Sequence, residues 1–365
     1  MTALSAYVLG PTGFTKARRP GIEDALRAVA DKQQPKIRKA ILAALKAADS
    51  ATIKSLAEAI QAGQVGTVLA LLGLDKLEAR FGGLVSELRS TVAQAGGVAA
   101  ASAPPIRPAV GPKLDVTFDL YNPRTLQFLQ EYEFRLIREI SENTRAGIRS
   151  AVSEGITQGR NPRAVARELK KSVGLTERQM KMVSNFRKEL ETFHLKRAAR
   201  AWNLGGTKSK APGGAGTFAI DAEGNPIDGI LHRRLRDFRY DKQLIKAMQS
   251  GKPLTPDQIE KMVGRYRERM IAYRAENIAK TESLRAMGVG NHQAWVQAQE
   301  QGLGPVVKEW RTAGDERVRL DHRRIPKLNP DGVPVDQPFK TPSGPVMHPP
   351  LGVNCRCVAV YRVRE

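Results

Sequence analysis

Apolar residues recur three and four positions apart through most of the first 300 residues, and no other pattern restricts the fold as strongly. That period gathers side chains on one face of an α-helix, whereas a strand would scatter them over both of its faces. In GIEDALRAVADKQQPKIRKAILAALKAA it is kept by Ile22, Leu26 and Val29 and, beyond Pro35, by Ile37, Ile41, Leu42 and Leu45. Proline lacks the amide hydrogen and crowds the turn before it, so a break is expected there. Asp49 and Ser50 are candidate caps for a further helix, SATIKSLAEAIQAG. DKLEARFGGLVSELRSTVAQAG then keeps Leu77, Phe81, Leu84, Val85, Leu88 and Val92 in register. Residues 1–95 read as a helical domain.

GGVAAASAPPIRPAVGPK, residues 96–113, has no period and reads as a linker. After FDLYNP, Leu129, Leu136, Ile140, Thr144, Ile148, Val152 and Ile156 stand mostly four apart. A strict four-residue step drifts around a helix, so this one either turns its face between neighbours or breaks near Gly147 or Gly155. Thr176 with Gln179, and Thr255 with Pro256 and Gln258, fit capping boxes ahead of two further helical runs. Between those runs, 203–232 reads as a glycine-rich loop and hairpin inserted into a helical domain of residues 114–300. From Pro305 the period changes: PVVKEWRTA and CVAVYRVR are strand-like, with a proline-rich loop between them, in a small domain of residues 301–365. The expected fold class is α+β and predominantly α-helical: N-terminal helices, a long-helix middle domain and a small C-terminal α+β domain.

Fifty-nine Lys and Arg against 37 Asp and Glu give a formal charge of +22. Such an excess repels itself unless a polyanion or an acidic surface lies close by. Lys196, Arg197, Arg200, Lys208, Lys210, Arg233, Arg234 and Arg236 cluster around TKSKAPGGAG, whose glycines and lysines do not fit the phosphate-loop spacing. The chemistry they offer is contact with phosphates regardless of base sequence. No run approaches the roughly 18 apolar residues that cross a bilayer, so no membrane partner is expected. The first residues show no leader pattern, and two cysteines build no disulfide framework; both point to folding in a reducing cytoplasm.

Those two thiols stand in HPPLGVNCRC, residues 348–357. His322, His348, Cys355 and Cys357 are ligand types that zinc prefers, and in a strand Cys355 and Cys357 would point the same way. A disulfide between them would be strained. If DERVRLDH is helical from Asp315, then Asp315, Arg319 and His322 share a face. Two arrangements fit: a buried polar network that holds the proline-rich loop, with the thiols as small apolar fillers, or a metal site. The Cys-x-Cys spacing differs from the usual Cys-x-x-Cys of zinc sites. Asp315 and His322 have no second carboxylate motif beside them and no Cys–His hydrolase signature is present, so catalysis is not expected.

RAENIAKTESLRAMGVGNHQAW at 274–295, KEW at 308–310, GDERVRLDH at 314–322 and the closing HPPLGVNCRC together resemble the phage Mu protein F-like minor head proteins, the head morphogenesis family of tailed bacteriophages. With a weaker likeness through 119–202, the resemblance covers about two thirds of the chain, leaving out residues 1–113 and the 203–232 insertion. It implies a non-enzymatic minor capsid protein, present in few copies, that acts in head assembly near the portal vertex and in some cases leaves with the DNA. The partners it implies are the portal protein, the major capsid or scaffold protein and packaged double-stranded DNA. The expected location is the virion, inside the head near the portal, after assembly in the host cytoplasm. It also makes Asp315, Arg319, His322, His348, Asn354, Cys355 and Cys357 a closing structural motif, with or without zinc. The alternatives are a nuclease-like or transferase-like enzyme associated with the head, and a sequence-independent nucleic-acid-binding protein.

Overall fold

Reciprocal side-chain caps and one-sided apolar faces decide where the helices begin. The computed structural model describes residues 7–10, 13–16, 21–46, 51–195, 200–201, 219–220 and 235–364. In chain order these hold a hairpin of β1 (Tyr7–Gly10) and β2 (Gly13–Lys16), then α1 (Ile22–Ala44), α2 (Ile53–Gln61), α3 (Val65–Leu71), α4 (Gly82–Ser102), α5 (Pro123–Thr157), α6 (Pro162–Lys170) and α7 (Glu177–Thr192). After the short antiparallel pair β3 (Arg200–Ala201) and β4 (Ala219–Ile220) come α8 (Asp241–Ser250), α9 (Pro256–Glu300), β5 (Val306–Arg311), α10 (Leu320–Leu328), β6 (Val333–Pro334) and β7 (Val358–Val363). Helices predominate and the C-terminal sheet is small, as expected. Most of the 203–232 insertion lies outside the described residues.

Both capping boxes are present. Thr176 Oγ1 accepts from the Gln179 amide and Gln179 Oε1 accepts from the Thr176 amide. Thr255 and Gln258 make the same exchange ahead of α9, with Pro256 at the first helical position. Two expectations are corrected and one open alternative is decided. α1 runs unbroken through Pro35. Buried Leu26 and Ala30 before the proline, and Ile37 and Ile41 after it, each favour the helix by about 1.5–3 kcal/mol for a large side chain, against a proline cost of about 3 kcal/mol. α4 runs to Ser102, so residues 96–102 of the expected linker are helical. An alanine-rich stretch has high helix propensity, and Ala99 and Ala100 are buried. α5 continues past Gly147 and Gly155; a Cβ at Gly147 would collide with the Leu175 carbonyl, so that glycine admits a neighbouring backbone instead of ending the helix.

The chain divides into two compact units, one of residues 1–40, 83–132 and 276–365, the other of residues 41–82 and 133–275. They interleave along the sequence, so the boundaries expected at 95, 113 and 300 do not separate them. In the second unit Arg274 is buried and donates to Thr144 Oγ1 at 3.1 Å and to the carbonyls of Gly174 and Ile140 at 2.5 and 3.4 Å. Thr144, read as part of an apolar register, is thus its polar contact point. Glu168, also largely enclosed, gathers Arg160 at 2.7 Å and Arg267 at 3.3 Å.

In the first unit the sheet order is β6-β5-β7, all antiparallel, with Val306 opposite Val363 and Arg311 opposite Val358. Trp295 of α9 stacks on Tyr361 of β7 with ring centroids 5.6 Å apart, and Trp310 of β5 meets Phe339 edge-on at 5.3 Å. Residues 276–300 of α9 are buried on nearly every face. Gly288 lies where the Pro349 carbonyl comes against the helix, and a Cβ would occupy that oxygen's place. One turn apart further on, Gln297 and Gln301 pair as strand residues would: Gln297 takes the Asp119 amide and gives to its carbonyl, both at 2.8 Å, and Gln301 does the same with Thr117 at 3.1 and 2.7 Å.

Gly288→Ala is therefore expected to destabilise the protein by about 1–3 kcal/mol through overpacking. Gly264→Ala in the same helix meets nothing within 4 Å and is expected to leave stability unchanged or raise it by up to about 1 kcal/mol. Thermal unfolding followed by circular dichroism compares them, and equal effects would remove the close-approach argument.

Candidate metal and polar site

Sequence motifs far apart in the chain meet in the first unit. The first turn of α10 carries His322, which is buried, and directs Nδ1 at Cys355 Sγ, 3.4 Å away, and Cys357 Sγ, 3.7 Å away. Both thiols are buried and free of any disulfide, in the irregular segment just ahead of β7. They point to one side, as their spacing suggests, and back onto a core that includes Trp310, Ile325, Phe339 and Tyr361. The ligand atoms of His322, Cys355 and Cys357 lie within 4.8 Å of one another, so these three residues could hold a metal ion. The hydrogen bond from the Cys357 thiol is the main force holding Cys355 down at about 5, against its burial; the same bond and burial push Cys357 up.

Asp315 and Arg319 do not share a helical face with His322. Gly314, at φ +74°, turns the chain, Arg319 is extended, and α10 starts only at Leu320. Asp315 instead accepts from Arg356 Nη2 at 2.8 and 2.6 Å, a bond that holds its carboxyl below the ordinary range. Arg319 donates to the Val353 carbonyl at 2.8 Å. Asn354 takes the left-handed conformation, φ 58°, which Asn tolerates better than most residues. Its backbone amide donates to Thr281 Oγ1, and its Nδ2 to Asn277 Oδ1, both at 3.3 Å. The RAENIAKTE and VNCRC motifs therefore fold against each other. Beside the thiols opens a pocket of about 290 Å³ lined by Lys280, Arg317, Arg319, His322, Asn354 and Arg356 together with the two cysteines.

His348 takes no part in this cluster, so the expected four-ligand set is corrected to three. Its Nδ1 faces the Pro349 carbonyl at 2.9 Å, and its ring packs on His292, with centroids 5.5 Å apart, and on Phe128 at 6.1 Å. His292 Nδ1 meets the Tyr361 hydroxyl at 3.1 Å. Under them Lys308 of β5 is fully buried, donating to the carbonyls of Val335 and Met347 at 3.1 and 2.6 Å and facing the Phe339 ring. Burial lowers it to about 8, with Asp336 opposing the shift. On a neighbouring face Tyr132 donates to the buried Glu282, which Arg285 also meets at 3.1 Å. Lys308, His292 and Glu282 are functional-site residues absent from the sequence-derived candidates. All three stand inside the motifs KEW, NHQAW and AKTE, so a signal was present.

Of the basic residues proposed from the sequence, Lys196, Arg197, Lys208, Lys210, Arg233 and Arg234 lie outside the described residues, and for Arg200 only the strand position is described. Arg236 is buried, with Nε and Nη2 on the two carboxylate oxygens of Asp241 at 3.1 and 3.0 Å. That leaves it a poor phosphate contact. Among the described residues no helix is long and apolar enough to cross a membrane.

Residues 240–360, about a third of the chain, match the family described as Phage Mu protein F like protein; the weaker likeness upstream is not part of that match. No curated protein and no solved structure matches the chain.

The two adjacent histidines give a pH signature. Burial, followed by the positive charges of His348 and Lys308, holds His292 well below 6.5; burial, helped by Lys308 and Arg285 against the Pro349 carbonyl, lowers His348 to about 4. Unfolding restores ordinary values near 6.5, so the unfolded chain binds more protons on acidification. Their contribution is complete above about pH 6.5 and is lost as pH falls toward 4, on the order of 2–3 kcal/mol for His348. Unfolding midpoints between pH 7 and 4 should fall less steeply for His348→Phe than for the unaltered chain. Parallel curves would show that the ring titrates normally.

Proposed function

We propose, on the premise that residues 240–360 form a phage Mu protein F-like region, that this chain is a minor protein of a phage head that acts in head assembly. The observation that carries the reading is the family match, supported by the convergence of its motifs into one folded site. The chain works by binding and not by turnover: its polar groups at this end tie loops to α9 and β5. It acts at the portal vertex or inner head surface, contacting the portal protein and packaged DNA, and is located in the virion after assembly in the host cytoplasm. Zinc at His322, Cys355 and Cys357 is the cofactor this reading carries, as a brace for the C-terminal module.

Imaging purified particles by cryo-electron microscopy tests the placement: density for this chain is expected beside the portal, and a particle without the chain would overturn the assignment. DNA contact is supported by the charge of +22 and by the basic cluster around residues 207–216. A patch making about six phosphate contacts should lose roughly a thousandfold in affinity between 50 and 200 mM salt, on either of two unrelated duplexes. Replacing Lys208, Lys210, Arg233 and Arg234 by Glu should flatten that dependence, whereas Arg236→Glu should cost stability by leaving Asp241 buried beside a like charge. Undetectable binding at 50 mM salt would redirect the charge to an acidic protein partner.

A further inference from the structure

A structural zinc site closes its coordination with four protein side chains, whereas an open site keeps three and leaves a position for something else. Tetrahedral zinc with Zn–S of about 2.3 Å and Zn–N of about 2.05 Å sets nitrogen and sulfur about 3.6 Å apart. His322 Nδ1 stands 3.4 and 3.7 Å from the two sulfurs, close to that spacing, and all three ligand atoms lie within 4.8 Å of one another. Among the described residues no fourth His, Cys, Asp or Glu joins the group. What adjoins it is the pocket of about 290 Å³.

The walls of that pocket have one sign. Lys280, Arg317, Arg319 and Arg356 line it and no carboxylate does. Asp315 is paired with Arg356, and Asp321 in the first turn of α10 does not line the pocket. Lys280 Nζ makes no hydrogen bond or ion pair with any described residue, although α9 holds its backbone in place. His322 in the first turn of α10, its N-cap residue Arg319 and Val318 just ahead of it join the same wall, the helix start has no side-chain cap, and a helix start favours anions. A divalent ion with two thiolates and a neutral imidazole carries no net charge, so the surrounding cations are not balanced by the metal centre itself.

We propose that the metal ion held by His322, Cys355 and Cys357 keeps its fourth position open and that this position takes a phosphate oxygen from outside the chain, gripped by Lys280, Arg317 and Arg319. The proposal rests on the metal reading above and adds a ligand to it. Phosphate suits the site better than a carboxylate: one oxygen reaches the metal while the others remain for several cations, two of them guanidinium forks shaped for such oxygens. The phosphate is either free or terminal, or a diester in a nucleic-acid backbone.

Cobalt(II) in place of zinc, in the full chain, separates metal binding from phosphate binding. Thiolate-to-cobalt charge-transfer bands at about one cobalt per chain are expected, and they should vanish in Cys355→Ser with Cys357→Ser. No cobalt uptake, or bands that survive that double substitution, would overturn the metal reading and the proposal with it. Adding inorganic phosphate should then shift the ligand-field bands saturably while the charge-transfer bands stay. Lys280→Glu with Arg317→Glu should weaken phosphate by about tenfold or more, as expected for reversing two charges near the ligand, with cobalt uptake intact. Ligand-field bands that ignore phosphate, while charge transfer is present, would overturn the open position and leave the metal reading standing. Unchanged phosphate affinity in the Lys280 and Arg317 variant would overturn the assigned grip. Oligonucleotides with and without a 5′-phosphate, added in place of inorganic phosphate, distinguish the sources. A shift only with the terminal phosphate supports a monoester, and a shift with both supports the backbone diester.

Discussion

The carbonyl oxygen of Pro349 lies against the bare Cα of Gly288, and that approach lets the segment 348–357 lie along α9. With the chain held there, the His348 ring meets His292, Asn354 reaches Asn277 and Thr281, and the two thiols come under His322. None of these contacts belongs to a regular ladder. They are single hydrogen bonds and ring contacts, each worth on the order of 1 kcal/mol. Their geometry therefore depends on a helix that offers a flat place for a loop, and protein interiors pack too densely to allow that contact to shift by a methyl group.

Buried cations serve the same end. Arg274 bonds two backbone carbonyls and a threonine hydroxyl, and Lys308 bonds two carbonyls, and among the described residues no carboxylate is in direct contact with either. The carbonyls of Gly174, Val335 and Met347 belong to loops, which leave oxygens that a strand or helix would have satisfied, and a buried charge with several acceptors regains part of its lost hydration. The lowering of Arg274 to about 10 and of Lys308 to about 8 reflects that burial. A high content of basic residues is thus not the same as a basic surface. Arg236 makes the point most directly, as a residue taken for a phosphate contact that lies in the interior on Asp241.

Local features were legible in the sequence and closures over distance were not. Thr176 and Gln179 lie close enough for their exchange of hydrogen bonds to be read from spacing alone, and the alternation in CVAVYRVR announces β7. Asp315 misled because DERVRLDH is compatible with a helix, while its true partner, Arg356, is brought to it only by the fold. Residue type showed that four side chains could bind zinc, yet which histidine reaches the thiols depends on the path of the proline-rich loop. Residues 96–102 carried no apolar contrast, because a helix built of alanine and glycine has no face to distinguish.

The pairing of Gln297 and Gln301 with Thr117 and Asp119 has a dynamic meaning. The amide protons of Thr117 and Asp119 are held by side chains that each turn about their own bonds, so their exchange with solvent requires two rotamer changes and no unwinding of α9. The connection between α4 and α5 also sets Val116 and Phe118 against Ala100 and Ala298, so it leaves its helix only when that apolar contact opens with the two glutamine bonds. Its protection from hydrogen exchange then reports the cost of exposing that apolar patch together with the loss of the glutamine bonds.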